Sequence, residues 1–557
     1  MPSAYTYPRY AFRRPAALDR GGAAEEVPVA IVGGGVVGLT LALDLARRGV
    51  ASVLLDDDDT VSTGSRAICW AKRTLEIYDR LGLGPRFLEK GVTWNTGRVF
   101  AGDAEAYAFD LLPEQGHAYP AFVNLQQYYA EEWLVEACAA TGLVDLRWRS
   151  RAVLVESRPD GALLSVETPE GAYRLHAGWL LACDGARSGI REALGLPFVG
   201  QVFRDRFLIA DVRMDLPTPA ERRFWFSPPF HPGQTVLLHR QADGEWRVDF
   251  QLGPEADPEE ERRPERVEAR LRAMLGPEVP VEIGWASVYT FRCRRIERFR
   301  HGRVLFAGDS AHQVSPFGAR GGNGGVQDAD NLGWKLAAVL DGRAPERLLD
   351  SYDAERGPAA DENILHSTRS TDFITPKNEA ARAYRDAVLE LSARHAMARP
   401  LVNSGRLSRP AVLAGSPLST PDAGEWPPGA PPPGAAAPDA PVLRGEDGRT
   451  ADWLLRHLGA GGDGFTLLCF AGGGDAGPPA LAAPPGVARV MVADRPAPGA
   501  LWDHSGLAAA RWGAAPGDCV LLRPDQHVAA RFRAGAAGPE AIAAARRRAL
   551  AAEGTAA

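Results

Sequence analysis

A chain of 557 residues, of which 45% are hydrophobic and 24% are charged, is long enough for several domains with buried cores. Its formal net charge of −7 and its lack of long Lys/Arg runs argue against nucleic acid or an anionic membrane as a partner. The six cysteines lie far apart without a CxxC pair, so neither a zinc site nor a disulfide framework is indicated. Residues 1–26 lack the apolar run of a signal peptide and are expected to form an N-terminal arm. We therefore expect a cytoplasmic, globular protein without a bound metal.

The stretch VPVAIVGGGVVGLTLALDLARRG, which starts at Val27, predicts a β-strand, a glycine-rich turn and a helix. Gly33, Gly35 and Gly38 have the G-x-G-x-x-G spacing, which allows a tight strand-to-helix turn and the close approach of a pyrophosphate to the helix N-terminus. A second predicted strand ends at Asp56, whose carboxylate can accept a hydrogen bond from a ribose hydroxyl. This segment therefore predicts a Rossmann-like, dinucleotide-binding unit.

Two later dipeptides each follow an apolar strand. The stretch WLLACDGARSGIREALG places Asp184 between a strand and a helix, and GRVLFAGDSAH ends another strand close to Asp309. An Asp-Gly turn on its own is common, but three motifs in this order, G-x-G-x-x-G, D-G and G-D, are typical of one family. In these motifs the chain resembles the flavoprotein aromatic hydroxylases, the single-component FAD monooxygenases of the para-hydroxybenzoate hydroxylase fold.

This resemblance implies a mixed α/β and α+β fold, in which a Rossmann-like FAD-binding domain carries an inserted antiparallel-sheet substrate domain. It also implies non-covalent FAD, NADH or NADPH as a transient co-substrate, and O2. The implied reaction is hydroxylation of a phenolic or other aromatic substrate through a flavin C4a-hydroperoxide. In the family the acid of the G-D motif hydrogen-bonds the ribityl chain, so this role is expected of Asp309, and Asp184 is expected beside the cofactor.

Five glycines occupy the eight positions from Gly318 to Gly325, directly ahead of a predicted helix. Glycine lets another group lie against the backbone, and a helix N-terminus stabilises the negative charge of a reduced flavin. By resemblance, the backbone amides of Gly322, Asn323 and Gly324 are expected to meet the N1/C2=O region of the isoalloxazine ring.

Two further cofactor contacts follow from the resemblance alone. Arg66 stands where the family places an arginine beside the cofactor, and Gln127 stands where it places a glutamine against the FAD. Gln126 is a near rival of Gln127, and a surface ion pair is the structural alternative for Arg66.

Pro316 and Arg320 are the candidate catalytic residues. Pro316 corresponds to a proline whose carbonyl lies near the reacting substrate in para-hydroxybenzoate hydroxylase, although it can equally be a rigid turn. The nicotinamide donor is expected to visit the surface near Arg66, Asp184 and Arg320, whose charges can meet its phosphates. His312, next to the G-D motif, is interpreted as a structural hydrogen-bonding residue.

Between the D-G and G-D motifs, segments such as RRFWFSPPFHPGQTVLLHRQADGEWRVDFQL predict antiparallel strands joined by polar turns. By resemblance, we expect a substrate-binding sheet domain at 201–289, inserted into a FAD-binding domain at 27–200 and 290–406 that ends in a helical extension. Several aromatic residues can either line an apolar pocket or pack in the core: Phe224, Trp225, Phe226, Phe250 and Tyr289.

A proline-rich stretch, WPPGAPPPGAAAPDAP, lies within 407–441 and predicts a semi-rigid connection between domains. Strands and helices are predicted to alternate over 442–557, a part that resembles the thioredoxin-like domain of phenol hydroxylase and 3-(3-hydroxyphenyl)propionate hydroxylase relatives. Its cysteines, Cys469 and Cys519, form no CxxC pair, so dithiol redox chemistry is not expected. Packing or contact within a homodimer is the expected role of this domain.

The motifs report the cofactor and leave the substrate open. One alternative is a FAD enzyme that catalyses epoxidation, Baeyer–Villiger insertion or another oxidation of a polyketide-like substrate. An alternative of another class is a flavin-binding protein without catalytic activity that recruits a partner through its C-terminal domain.

Overall fold

The computed structural model describes residues 5–402, 408–444, 449–459, 463–472 and 483–553. The chain divides into two compact units. The first comprises Met1–Pro113, Pro120–Ala329 and Ala360–Arg409, and the second comprises Glu114–Tyr119, Asp330–Ala359 and Pro410–Ala557. Across the described ranges, no helix is both long and apolar enough to cross a membrane.

The strands and helices are named here in chain order. The strands are β1 (Glu25–Val32), β2 (Ser52–Leu55), β3 (Cys69–Ala71), β4 (Val92–Trp94), β5 (Thr96–Ala101), β6 (Ala104–Asp110), β7 (Phe122–Asn124), β8 (Val144–Arg147), β9 (Arg151–Arg158), β10 (Gly161–Thr168), β11 (Gly171–Ala182), β12 (Val199–Arg213), β13 (Arg222–Phe226), β14 (Thr235–Arg240), β15 (Glu245–Leu252), β16 (Glu282–Arg295), β17 (Arg300–His301), β18 (Val304–Phe306), β19 (His312–Gln313), β20 (Pro441–Arg444), β21 (Thr450–Trp453), β22 (Phe465–Ala471), β23 (Val487–Ala493), β24 (Ala500–Trp502), β25 (Cys519–Leu522) and β26 (Val528–Phe532). The helices are α1 (Val36–Arg47), α2 (Lys72–Arg80), α3 (Gly84–Lys90), α4 (Gln127–Thr141), α5 (Gly189–Ala193), α6 (Pro258–Glu261), α7 (Pro264–Leu275), α8 (Gly321–Leu340), α9 (Asp350–Ile374), α10 (Glu379–Arg394), α11 (Arg399–Val402), α12 (Leu507–Trp512) and α13 (Pro539–Ala549).

The first sheet of the first unit has a parallel centre in the order β18-β11-β1-β2-β8. The last four residues of β1, Val29–Val32, are buried, as expected for a parallel strand that is covered on both faces. Helix α1 provides the crossover from β1 to β2, which parallel strands require. Because β1, β11 and β18 are neighbours, the loops at their carboxyl ends meet at one edge of the sheet.

The second sheet has the order β19-β16-β12-β15-β14-β13-β5-β6, and most of its neighbouring pairs are antiparallel. It contains the strands predicted within 201–289. It also takes in β5 and β6, which lie well before this segment in the chain, and β13 pairs with β5 in parallel. This second sheet is therefore larger than the sequence indicated. A small third sheet has the order β3-β7-β4.

The two faces of this second sheet contain different aromatic residues, because side chains alternate along a strand. Phe224 and Phe226 lie in one buried cluster, whereas Trp225 between them stacks on Phe100 with ring centroids 5.1 Å apart. Phe250 belongs to the cluster on the other face, into which helix α7 packs. The aromatic residues that the sequence grouped together are thus divided between the two faces.

The second unit contains a seven-stranded sheet in the order β21-β20-β24-β23-β22-β25-β26. Alternate residues of β22 enter two separate cores. Leu467 packs in a cluster with Ile542 of α13, and Leu468 packs in a cluster with Trp512 of α12. The sheet therefore lies between two hydrophobic layers.

The proline-rich segment is part of this second unit and does not run as an isolated connection. Thr420 donates its backbone N–H to the carbonyl oxygen of Ala529 at 2.8 Å, and Gly434 donates to that of Val528 at 2.8 Å. The segment therefore runs beside β26 and hydrogen-bonds to it.

A cluster of four charged side chains also lies in the second unit, and all four are fully buried: Lys335, Glu355, Arg523 and Asp525. Lys335 Nζ lies 2.6 Å from Glu355 Oε2, and Arg523 Nη2 donates to the same oxygen at 3.1 Å. Arg523 also pairs with Asp525. We call these four residues the buried ion cluster, and every member has an oppositely charged partner.

Candidate functional site

The glycine-rich turn after β1 shows which glycines the protein itself requires. Gly33 has a φ of +108°, and a Cβ there would lie 2.3 Å from the carbonyl oxygen of Cys183. A Cβ on Gly38 would lie 2.0 Å from the carbonyl oxygen of Gly33. At Gly35, the N-cap of α1, a Cβ would meet only Glu131 Oε1, at 3.7 Å. The protein leaves space in front of this helix N-terminus, as the binding of a pyrophosphate requires.

A buried glutamate, Glu131 on α4, organises the same turn. It accepts a hydrogen bond from the backbone N–H of Val36 at 3.2 Å and another from Gln127 Nε2 at 2.7 Å. Ser62 donates to it as well, through both its backbone and its hydroxyl. Burial raises the pKa of Glu131, although these donors oppose the rise. The sequence did not single out Glu131; its only signal was its position four residues after Gln127 on one helix face.

Asp56 lies directly after β2, as predicted. Its carboxylate accepts hydrogen bonds from the backbone N–H groups of Gly34 and Asp58, so it fixes the glycine-rich turn. Burial raises the pKa of Asp56, and these two hydrogen bonds oppose the rise. The half-buried side chain thus helps to shape the turn where a ribose hydroxyl is expected.

The D-G and G-D motifs meet the glycine-rich turn at the edge of the first sheet. Asp184 follows β11; its Oδ2 accepts from the backbone N–H of Ile190 at 3.1 Å, while its buried Oδ1 has no partner among the described residues. Asp309 follows β18 and is exposed. The surrounding protein nevertheless desolvates the Asp309 carboxyl and raises its pKa, which indicates a position deep in an open cleft. The unpaired oxygen and the recessed carboxyl fit a ligand that carries hydroxyl groups.

Arg66 has the unusual backbone φ of +48° and an exposed side chain. Its Nη1 donates to the hydroxyl of Tyr289 at 3.3 Å, and its positive charge acts on Asp309. Among the described residues it forms no ion pair, which disfavours the alternative of a structural salt bridge. A non-glycine residue at positive φ is a strained feature of the kind found at binding sites.

Gln127 lies at the start of α4 and faces the same region. Its Oε1 accepts from the backbone N–H of Ala67 at 3.1 Å, next to Arg66. Its rival, Gln126, is fully buried and donates to Glu245 Oε2 at 3.0 Å. Of the two glutamines, Gln127 is therefore the one connected to the glycine-rich turn.

The glycines from Gly318 to Gly325 serve different purposes. Gly318 has a φ of +96°, and a Cβ on Gly325 would lie 2.5 Å from Cγ2 of Val37 on α1. At Gly322 and Gly324 a Cβ would lie 3.3 and 3.5 Å from its nearest protein atoms. The group that lies close to Gly325 is therefore helix α1. The sequence had suggested that the flavin ring lies against the whole glycine-rich stretch.

The N-terminus of α8 presents backbone N–H groups. The first hydrogen bond of the helix runs from the N–H of Gly324 to the carbonyl oxygen of Arg320 at 2.7 Å, so the amides of residues 321–323 precede it. The Asn323 side chain is committed to the protein, since Oδ1 accepts from Ala71 N–H at 2.9 Å and Nδ2 donates to Cys69 O at 2.8 Å. For a cofactor, Gly322 and Asn323 can therefore offer their backbone amides.

His312 has the structural role expected of it. Its Nε2 lies 2.6 Å from Asp328 Oδ2, which also accepts from the backbone N–H of Gly308 at 3.1 Å. The pair thus connects α8 to the G-D motif.

The two candidate catalytic residues differ in exposure. Pro316 is exposed, and its carbonyl oxygen accepts a hydrogen bond from Ala319 N–H at 3.1 Å in a tight turn. Arg320 is only 5% exposed. The expectation that Arg320 lies on the surface is therefore wrong.

A pocket lies between the second sheet and the segment that precedes α8, and the space among its lining atoms, together with the part open to solvent, is about 500 Å³. Its apolar lining consists of Val99, Phe109, Phe224, Phe226, Phe317, Ile374 and Val402. Gly318 and two arginines, Arg98 and Arg222, also line it. Because Phe317 and Gly318 directly follow Pro316, the pocket adjoins the proposed cofactor-facing segment. An aromatic body and a polar or anionic group can both be accommodated.

Comparison with known proteins agrees with this geometry. A family model described as an FAD binding domain matches residues 26–367. The chain belongs to this FAD-binding family. FAD is therefore the cofactor, and the resemblance to flavoprotein aromatic hydroxylases is confirmed.

The relatives are hydroxylases and monooxygenases. A 3-(3-hydroxy-phenyl)propionate/3-hydroxycinnamic acid hydroxylase of Mycolicibacterium smegmatis is 31% identical over 363 residues, which cover 65% of this chain and 64% of the relative. A 6-methylpretetramide 4-monooxygenase of Streptomyces rimosus is 38% identical over 365 residues, 63% of each chain. The aligned part thus spans less than two thirds of either relative.

Among solved structures, the flavin-dependent monooxygenase PieE in complex with FAD and substrate has a TM-score of 0.80 and 25% sequence identity. The match covers 95% of this chain and 100% of that one. The mixed α/β fold of a FAD-dependent monooxygenase is therefore shown for nearly the whole chain.

Proposed function

We propose that the protein is a FAD- and NAD(P)H-dependent monooxygenase that hydroxylates an electron-rich aromatic compound. The observation that carries this proposal is the position of the pocket. Three cofactor motifs end at one edge of the first sheet, and the segment that leads from the G-D motif into α8 also lines a pocket rich in phenylalanine. A substrate in this pocket would lie next to the segment expected to face the flavin.

The residues divide the binding of FAD between them. The N-terminus of α1, with Gly35 in front of it, would bind the pyrophosphate. The carboxylate of Asp56 would accept a hydrogen bond from a ribose hydroxyl. The carboxylate of Asp309 would accept a hydrogen bond from a hydroxyl of the ribityl chain. The α8 amides of Gly322 and Asn323 would meet the pyrimidine edge, where a helix N-terminus favours negative charge.

Reduced FAD, when bound, would activate O2, of which one oxygen atom goes to the substrate and the other leaves as water. The chain contributes orientation and the exclusion of water. The phenylalanine-lined walls hold an aromatic ring in a fixed plane, and their low polarity keeps water from the reacting centre. The carbonyl oxygen of Pro316, at the entrance to the α8 segment, would accept a hydrogen bond from a substrate hydroxyl, and this polarisation of the O–H bond would make the ring more electron-rich.

The nicotinamide donor is proposed to bind transiently near Arg66 and Asp184. Arg66 is exposed and bears a free positive charge among the described residues, so it can meet a phosphate. Arg320 is left out of this surface because it is buried.

The second unit is proposed to contain a thioredoxin-like domain that packs or mediates a homodimer. The parallel pair β22/β23, the antiparallel pair β25/β26 and the C-terminal helix α13 support this assignment. Cys469 and Cys519 are register partners on β22 and β25, although no CxxC pair is present.

The test is an oxygen-tracing assay with purified, FAD-loaded protein. We expect substrate-dependent oxidation of NADH or NADPH, uptake of O2 and incorporation of one atom of 18O from 18O2 into an aromatic product. A panel of phenols, aromatic acids and polycyclic polyketides covers both candidate substrate classes. Complete recovery of the consumed O2 as H2O2 with every compound would contradict the monooxygenase, and a dehydrogenated product without 18O would indicate another oxidation.

A further inference from the structure

One lining residue of the pocket stands apart from its neighbours. Arg222 begins β13 and shares a strand face with Phe224 and Phe226, because side chains two residues apart point to the same side. Its guanidinium carbon lies 5.8 Å from the ring centroid of Phe224. The cation therefore borders the aromatic part of the pocket.

The guanidinium of Arg222 has neither a hydrogen bond nor an ion pair with any residue that the structure describes. Its Nε is buried without an acceptor. The neighbouring arginines are paired: Arg98 donates to Glu221 at 2.7 Å and Arg223 donates to the other oxygen of Glu221 at 2.8 Å. The charge on Arg222 is thus the one in this group that no carboxylate balances.

The nearby titratable groups that act on Arg222 do not neutralise its charge by direct pairing. Asp249, which acts on Arg222 through its charge, is hydrogen-bonded to Arg247 at 2.9 Å. Burial raises the pKa of the Cys69 thiol to about 11, so this group is neutral at physiological pH. Burial, together with Arg222 and Arg247, holds the pKa of His239 well below its ordinary value, so His239 is neutral too.

Leaving a desolvated cation unpaired is costly, and burial lowers the pKa of Arg222 accordingly. A guanidinium has a planar fork of donors that matches a carboxylate in two parallel hydrogen bonds. Such a pair would be strong here, because the phenylalanine walls exclude competing water.

We propose that Arg222 is the anchor for a carboxylate carried by the aromatic substrate. The pocket would then bind an aromatic acid, with the ring between the phenylalanines and the carboxylate on the guanidinium. This inference rests on the proposed function and narrows it, since a neutral polyketide would leave Arg222 unpaired.

The first experiment measures binding and requires no turnover. Oxidised holoenzyme is titrated with hydroxylated benzoates, phenylpropionates and naphthoates, and with the primary amide of each, and the flavin absorbance change gives Kd. We expect each acid that binds to do so about tenfold or more tightly than its amide. Arg222→Met should abolish this preference while leaving the Kd of the amides unchanged.

Arg223→Met is the matched control, because it removes an arginine of the same strand that is already paired with Glu221. It should retain the preference for acids. Unfolding temperature and FAD content of both variants show whether the fold is intact. Acids and amides with equal Kd in the unmodified protein, or a preference that survives Arg222→Met, would overturn the proposal.

A second comparison separates the carboxylate from an ionised phenol, which is also an anionic oxygen. Phenolic acids and their methyl ethers are titrated in parallel. If Arg222→Met removes the preference for the free phenol over the ether and leaves that for the acid over the amide, the anchor binds phenolate and the proposal is wrong. The 18O assay with neutral phenols is independent: oxygenation without any preference for acids would refute the anchor and leave the monooxygenase intact.

Discussion

The pocket and the buried ion cluster treat buried charge in opposite ways. In the second unit, Lys335, Glu355, Arg523 and Asp525 lie fully buried, and each has a partner within the cluster. In the first unit, Arg222 lies against phenylalanines without a partner among the described residues. A buried charge that the fold satisfies holds the fold together, whereas one that it leaves unsatisfied is available to a ligand. We therefore expect substitutions in the buried ion cluster to change stability, and a substitution of Arg222 to change ligand binding.

The largest effect is expected in the ion cluster. Glu355→Gln removes the carboxylate shared by Lys335 and Arg523 and should lower the free energy of unfolding by about 3–5 kcal/mol. Urea unfolding followed by the intrinsic tryptophan fluorescence of the protein measures this loss. A change below about 1 kcal/mol would show that the cluster contributes little to stability.

The pH dependence of stability should come from the same residue. Burial alone would raise the pKa of Glu355, but Arg523 and Lys335 outweigh it and hold the pKa below its ordinary value. A carboxyl with a lowered folded-state pKa contributes stability above its unfolded pKa, and this contribution is lost as pH falls below about 4.5. We expect unfolding temperature to fall more steeply on acidification in the unmodified protein than in Glu355→Gln. Parallel curves would exclude Glu355 as the source.

A smaller loss of stability is expected when alanine replaces one of two glycines in helix α8, and the loss should differ between the two positions. Gly325→Ala places a Cβ 2.5 Å from Cγ2 of Val37, so α1 and α8 must shift, and we expect a loss of about 1–3 kcal/mol together with lower FAD content. Gly324→Ala meets its nearest neighbours at 3.5 Å and should be milder in both respects. Thermal unfolding of apoprotein and the flavin-to-protein absorbance ratio give the two readouts. Equal losses in the two variants would remove the special role of Gly325.

The smallest effect on stability is expected at the pocket. Arg222→Met replaces an unpaired cation by an apolar side chain of similar length, so the free energy of unfolding should change by less than about 0.5 kcal/mol or rise slightly. The same urea experiment measures it. A loss comparable to that of Glu355→Gln would mean that Arg222 holds the fold, and the contrast between the two regions would disappear.

Short-range pattern was sufficient to predict four strands of the first sheet, β1, β2, β11 and β18, and the motifs that follow them. An apolar run followed by a glycine or an acidic residue is a local signal for the end of a strand. Such runs precede Gly33, Asp56, Asp184 and Asp309, and each of them forms a strand of the first sheet. His312 was also interpreted correctly, since a polar residue beside a tight turn usually serves the turn.

The partners of side chains could not be predicted in the same way. Nothing in the sequence near Gly325 indicates Val37, almost three hundred residues earlier, as the group that approaches it. Likewise, Arg222 and Arg223 are adjacent and identical in type, and only the folded strand shows that one meets Glu221 and the other the pocket. Tertiary contacts decide such cases, and residue type alone does not report them.

The burial of the free cysteines makes selective labelling of the protein possible. All six are free, and five of them are buried, with Cys69 of intermediate exposure. Burial keeps a maleimide from reaching these five thiols, and it raises the pKa of Cys69 to about 11, so little of the reactive Cys69 thiolate is present at neutral pH. A cysteine introduced at Met397, which is 86% exposed, would thus take up a fluorescent dye selectively. The native protein can be labelled at a chosen point without first replacing its own thiols.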